Sequence, residues 1–112
     1  KGRTMNKETQ RLFRLQAEVI QAAGHPIRLA IIDYLKDGEQ CVCDIAEHVG
    51  AKRSNVSRHL SLMLSAGVVD CRKDGLKALY RLRTPCILNF IKCVTQVLKE
   101  RLESEAAVLG RR

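Results

Sequence analysis

The stretch Cys41-Val42-Cys43-Asp44-Ile45-Ala46-Glu47-His48-Val49-Gly50-Ala51-Lys52-Arg53-Ser54-Asn55-Val56-Ser57-Arg58-His59-Leu60 decides the fold. Ile45 and Val49 stand four apart, one helical turn, and Gly50 follows where a helix C-cap belongs. This predicts a short helix over about Val42 to Val49. A second helix is expected from near Lys52 to Ala66, closed by Gly67, with Val56, Leu60, Met63 and Leu64 turned to the core. Two short helices joined by a tight, glycine-containing turn make a helix–turn–helix, spanning about residues 42–66.

Outward toward the C-terminus, the hydrophobic period changes from 3.6 to 2. Val68 to Lys73 is β-prone, Asp74-Gly75 is a hairpin signal, and Lys77 to Leu82 alternates with Ala78, Tyr80 and Leu82 on one face. A hairpin directly after a helix–turn–helix is a wing, at about residues 68–82. Pro85 is expected to open a last helix over about residues 85–109, with Ile87, Phe90, Ile91, Val94, Leu98 and Leu102 in a broad stripe. Toward the N-terminus, Leu12, Leu15, Val19 and Ile20 share one side of a helix from Asn6 to Ala23. Gly24 closes it, and Pro26 starts another that carries Ile27, Ala30, Ile31, Tyr34 and Leu35 and ends at Lys36-Asp37-Gly38. The expected fold is mainly α with a β-hairpin wing, an α+β winged helix–turn–helix in one domain covering residues 1–112. The first and last helices are left with apolar stripes, and pairing them between two copies would make a homodimer.

Composition agrees. The chain has 112 residues, 46% of them hydrophobic, enough for one cored domain. Its 20 Lys and Arg against 12 Asp and Glu give a net charge of +8, which favours polyanions, nucleic acid first. No apolar run approaches the ~20 residues that cross a bilayer, and no secretory signal is visible, so a cytoplasmic protein without a membrane partner is expected. No Ser/His/Asp or Cys/His arrangement suggests an enzyme, and no cofactor is required.

The second helix of such a motif lies in the major groove. Here its N-terminal part carries Lys52, Arg53, Ser54, Asn55, Ser57, Arg58 and His59. Arg and Lys neutralise phosphates or grip guanine, Asn pairs with adenine, and Ser serves either base or phosphate. Arg72, Lys73 and Lys77 on the wing would follow the backbone into the neighbouring minor groove. A dimer presents two such helices about 34 Å apart, so the expected partner is double-stranded DNA with an inverted-repeat operator. His25 reads as a helix-entry packing residue, His48 as solvated, and His59 as either a DNA contact or a packing residue.

The five cysteines are an odd number with no export signal, which disfavours a disulfide scaffold. Each alone reads equally as a small buried hydrophobe. Cys41 and Cys43 together read otherwise. On a regular helix, at ~100° per residue, they would point ~200° apart. They converge on one ion only if Cys41 lies in the lead-in and Cys43 in the first turn. An ion held by both therefore pulls on the start of the helix–turn–helix. Soft thiolates select trivalent arsenic or antimony, cadmium, lead, monovalent copper or zinc. A third sulfur could come from Cys86 or Cys93, which share a face of the last helix ~10 Å apart along it. A small-molecule thiol is another source. Cys71, in the wing strand, reads as packing. A thiol-based redox or sulfide sensor on the same fold is the alternative chemistry.

The order of elements, the box Cys41-Val42-Cys43-Asp44-Ile45-Ala46, Ser57-Arg58-His59-Leu60, Gly67-Val68-Val69 and Ala78-Leu79-Tyr80-Arg81-Leu82 resemble the ArsR/SmtB family of metal-sensing repressors, over about residues 10–100. The resemblance implies a homodimeric repressor that leaves its operator when an inducer binds, with arsenite or antimonite first. Family arsenic sensors often carry a third cysteine three residues after the second, where this chain has Ala46. Family cadmium and lead sensors recruit cysteines from an N-terminal extension, and this N-terminus has none. Matching the family's zinc site on the last helix gives Thr84, Cys86, Val97 and Glu100, and Val97 cannot ligate.

Overall fold

The computed structural model describes residues 3–110. Asn6 caps α1 (Lys7–Ala23) by accepting from the Thr9 amide at 2.8 Å. Next come α2 (Pro26–Tyr34), a 3-10 turn at Leu35–Asp37, and a two-residue strand β1 (Gln40–Cys41). Then follow α3 (Val42–Val49), α4 (Arg53–Ala66), β2 (Val69–Asp74), β3 (Lys77–Leu82) and α5 (Ile87–Gly110). This is the winged helix–turn–helix that the hydrophobic pattern predicts.

The core lies where α2, α3, α4 and the base of the hairpin meet. Ile31, Ile32, Ile45, Val56, Leu60, Met63, Val68 and Val69 are all 0% exposed. Burial of this many branched side chains, at about 1.5–3 kcal/mol each, fixes the angle between α3 and α4. Gly50 makes that angle possible: it ends α3 at φ +70, in the left-handed region that a residue with a Cβ avoids. Leu64 does not join the core; it lies at the edge of the α4 stripe and is exposed.

Three boundaries differ from the expectation. β1 has no periodic signature, yet it pairs antiparallel with β3, Gln40 opposite Tyr80 and Cys41 opposite Leu79. The sheet therefore has three strands in the order β1-β3-β2. Second, Asp74 pairs with Lys77, so the hairpin loop is Gly75-Leu76 rather than Asp74-Gly75. Gly75 at φ +65 followed by a residue without positive φ is the II′ pattern, whose twist suits a hairpin. Third, Thr84 to Cys86 form a lead-in turn, and the regular helix begins at Ile87, not Pro85.

α1 and α5 are built differently from the rest. Among the described residues, none of α5 is buried. Leu12, Leu15 and Ile20 on α1 and Phe90, Val94, Leu98 and Leu102 on α5 are exposed. No helix among the described residues is long and apolar enough to cross a membrane.

Candidate nucleic-acid interface and thiol box

Burial of Val56, Leu60 and Met63 turns the opposite face of α4 outward. Lys52, Arg53, Ser54, Ser57 and Arg58 are exposed there, and Asn55 is half-buried at its margin. Lys52 is the N-cap residue, and no side chain caps the helix start. The first turn carries no acidic residue. Its free N–H groups and positive dipole end thus add to the cations around them, an arrangement that suits phosphate. Among the described residues, the ion pairs do not include Lys52, Arg53 or Arg58.

The wing carries exposed Lys73 and Lys77 near its tip, with Leu76 fully exposed at the apex. Arg72 is not at the tip. Its guanidinium forks onto Glu39, with Nε donating at 2.7 Å and Nη2 at 2.8 Å. That hydrogen bond and the Arg72 charge hold the Glu39 carboxyl below its ordinary value. Arg72 thus braces the wing against the segment before β1, with its side chain still exposed. Arg81 donates to Asp70 at 3.3 Å across the hairpin.

His59 also leaves the expected set. It is half-buried on the inner side of α4, against α2, where Arg28 Nη1 meets its Nδ1 at 3.2 Å. His25 is the helix-entry residue that its position suggests: its Nδ1 caps α2 by accepting from the Ile27 amide. His48 is exposed, but its ring stacks on Tyr34 with centroids 4.0 Å apart.

The thiols divide sharply. Cys41 is 8% exposed, ends β1 and is the N-cap residue of α3, with extended backbone. Cys43 lies in the first turn of α3 and is exposed. The pair therefore straddles the helix start, one in the lead-in and one in the helix. Cys86 is exposed in the turn before α5, beside the apolar groove that Val19, Ile20, Phe90 and Ile91 line. Cys93 is exposed on α5, so neither of these is a core cysteine within one protomer. Cys71 is exposed too, contrary to its packing assignment. It lies opposite Tyr80 on the hairpin. Burial first, and then the Cys71 thiol, push the Tyr80 hydroxyl above its ordinary value. Among the described residues, no group of three or more Cys, His, Asp or Glu comes together around one point.

The family model described as bacterial regulatory protein, arsR family, matches residues 25–70. The HTH-type transcriptional regulator Rv0081 of Mycobacterium tuberculosis is 32% identical over 103 residues, which cover 91% of this chain and 90% of Rv0081. The chain belongs to the arsR family of bacterial regulatory proteins. This arsR-family chain also superimposes on the crystal structure of Rv0081 with a TM-score of 0.73 over 85% of its own length and 96% of the other chain, at 30% identity. The DNA-binding domain of Mb0332 of Mycobacterium bovis (its fragment 1–100), solved as a homodimeric winged helix–turn–helix, matches with a TM-score of 0.77 at 28% identity, covering 92% of this chain and 95% of that fragment. An arsenical resistance operon repressor of Staphylococcus xylosus is 34% identical over 70 residues, 62% of this chain and 67% of that protein. These relatives are transcriptional regulators, not enzymes.

The residues that sequence reasoning missed in this arsR-family protein are Glu39 and Arg28. Both act through long-range contacts, 33 and 31 residues from their partners, so no local pattern announces them.

Proposed function

We propose that the chain is a homodimeric transcriptional repressor that reads an inverted-repeat operator and releases it when arsenite, or antimonite, binds Cys41 and Cys43. The observation that carries this reading is the position of the two thiols: one before and one inside the first turn of α3. Two thiols there can face one atom without breaking the helix beyond its first turn. Each thiol proton leaves with an arsenite hydroxyl as water, so two sulfur–arsenic bonds form without any redox step. The arsenical repressor of S. xylosus among the relatives supports this inducer class.

The third sulfur is assigned to Cys86 or Cys93 of the partner subunit, or to a small thiol, because Cys86 lines the apolar groove that a second copy would cover and Cys93 is exposed on the same helix. Sulfur–metalloid distances near ~2.3 Å then pull the α3 start, by analogy with zinc thiolates. On the DNA side, Lys52, Arg53, Ser54, Asn55, Ser57 and Arg58 enter the major groove, while Lys73 and Lys77 follow the adjacent backbone. The homodimer of Mb0332 supports pairing of two copies, and the exposed apolar stripes of α1 and α5 are the surfaces this chain offers for it. The inducer must favour the DNA-incompetent form by ~1–3 kcal/mol per coupled site to act as a switch.

The test is fluorescence anisotropy on a duplex from just upstream of the chain's own gene. Cys41→Ser combined with Cys43→Ser is expected to bind that duplex as the wild type does and to stay bound when arsenite is added. Release as complete as in the wild type would overturn the thiol assignment.

A further inference from the structure

On the inner side of α4, the His59 ring lies 4.6 Å from that of His25, centroid to centroid, tilted by 43°. Its Nδ1 faces Arg28 Nη1 at 3.2 Å. A guanidinium has only donors, so this nitrogen must offer a lone pair, and the ring proton sits on Nε2. His25 is fixed in the same tautomer, because its Nδ1 accepts from the Ile27 amide at 3.1 Å. Arg28 also donates from Nη2 to the Gln21 carbonyl of α1 at 3.5 Å, and its enclosed Nε has no hydrogen-bond partner among the described residues. One guanidinium on α2 thus ties α1 to α4.

We propose that His25, Arg28 and His59 form a proton-sensitive clamp: Arg28 and the two imidazoles hold α4 in its reading pose, and a proton on His59 opens it. A proton on His59 Nδ1 turns an N–H toward an N–H and sets an imidazolium against a guanidinium. His25 and Arg28 from α2 and Arg58 from α4 itself all oppose that proton. From α1 the groove beside Arg28 receives the Gln21 carbonyl and Glu18. Burial first, then His25, Arg28 and Arg58, hold His59 below its ordinary value. A histidine depressed in the folded state is fully compatible with the fold above its ordinary value of about 6.5. The clamp is therefore lost as pH falls from about 6.5 toward the lower folded value. Acid otherwise adds positive charge and tightens binding to a polyanion, so the clamp predicts the opposite sign.

The consequence for DNA rests on the reading of α4 as the groove helix; the proton coupling itself does not. Two measurements on the full chain separate them. Imidazole nitrogen NMR on the free protein is expected to find His59 protonated at Nε2 and titrating below about 6.5. Anisotropy on the upstream duplex, at fixed ionic strength, is expected to show wild-type affinity about tenfold weaker at about pH 5.5 than at about pH 7.5. In His59→Gln, which keeps an acceptor toward Arg28 and cannot be protonated, the ratio of the two affinities is expected to fall to about one, whatever its neutral affinity. His48→Gln is expected to keep the wild-type ratio. Wild-type affinity that is flat or tighter in acid overturns the clamp, and so does an unchanged ratio in His59→Gln. If His59→Gln does not fold, Arg28→Gln replaces it, and its His59 should titrate higher than in the wild type while burial still holds it below the ordinary range; a His59 unmoved there overturns the proposal. A duplex unbound at neutral pH, with His59 titrating as described, supports the clamp and refutes the DNA reading.

Discussion

The α3–α4–wing half of the molecule is closed, and the α1–α5 half is open. In the first, Ile45, Val56, Leu60 and Met63 lose all contact with solvent, and polar residues face outward. In the second, Phe90 is 55% exposed and Ile20 56%, although both belong to helices with strong apolar stripes. The same hydrophobic signal thus produces a finished core in one place and an unfinished one in another. The difference is what faces each stripe: α4 finds α2, α3 and the hairpin, whereas much of α5 faces no other element of its own chain. A protein built this way can present its reading surface as a rigid unit and still depend on a second copy to place two such units.

The most severe way to probe the contrast is Leu60→Ala. It leaves a cavity inside the closed half and should cost about 2–5 kcal/mol, read by denaturant unfolding. A loss well under that range would mean the half is looser than its burial implies.

The open half should respond differently. Ile20→Glu with Leu98→Glu is expected to keep the helical circular dichroism of the protomer and to abolish self-association, so sedimentation gives the mass of one chain. The melting temperature of the wild type, but not of this variant, should rise with protein concentration. An unchanged dimer mass would show that another surface holds the two copies together. The smallest effect is expected at the wing: Lys77→Ala should weaken binding to all duplexes alike and reduce the salt slope by about one.

Most of the fold was legible because its punctuation is local. Gly24, Gly50 and Gly67 end three helices where the apolar stripes stop, and the change of period after Gly67 marks the hairpin. β1 was not legible, since two residues carry no periodicity and their pairing with β3 is a long-range event. Within the site, residue chemistry misled where geometry would have served. His59 stands three residues after Val56 and four before Met63, so it belongs to the inward stripe of α4. Residue type left His59 open between a DNA contact and a packing residue, and helical phase places it against α2. The pairing of Arg72 was hidden for another reason: Glu39 is distant in sequence, and only the folded sheet brings the two together. The straddling of the α3 start by Cys41 and Cys43, in contrast, follows from their spacing and the position of the first apolar residue.

β1 carries a further consequence. Cys41 closes the strand ladder opposite Leu79 and, in the same residue, starts α3. Its backbone therefore has two masters, and neither can be adjusted alone. On the proposed reading, a displacement at that point would tilt the ribbon along with the helix, and the parts proposed to grip a duplex would fall out of step while each kept its internal shape. Repression lifted that way would end by misalignment, with the core left whole.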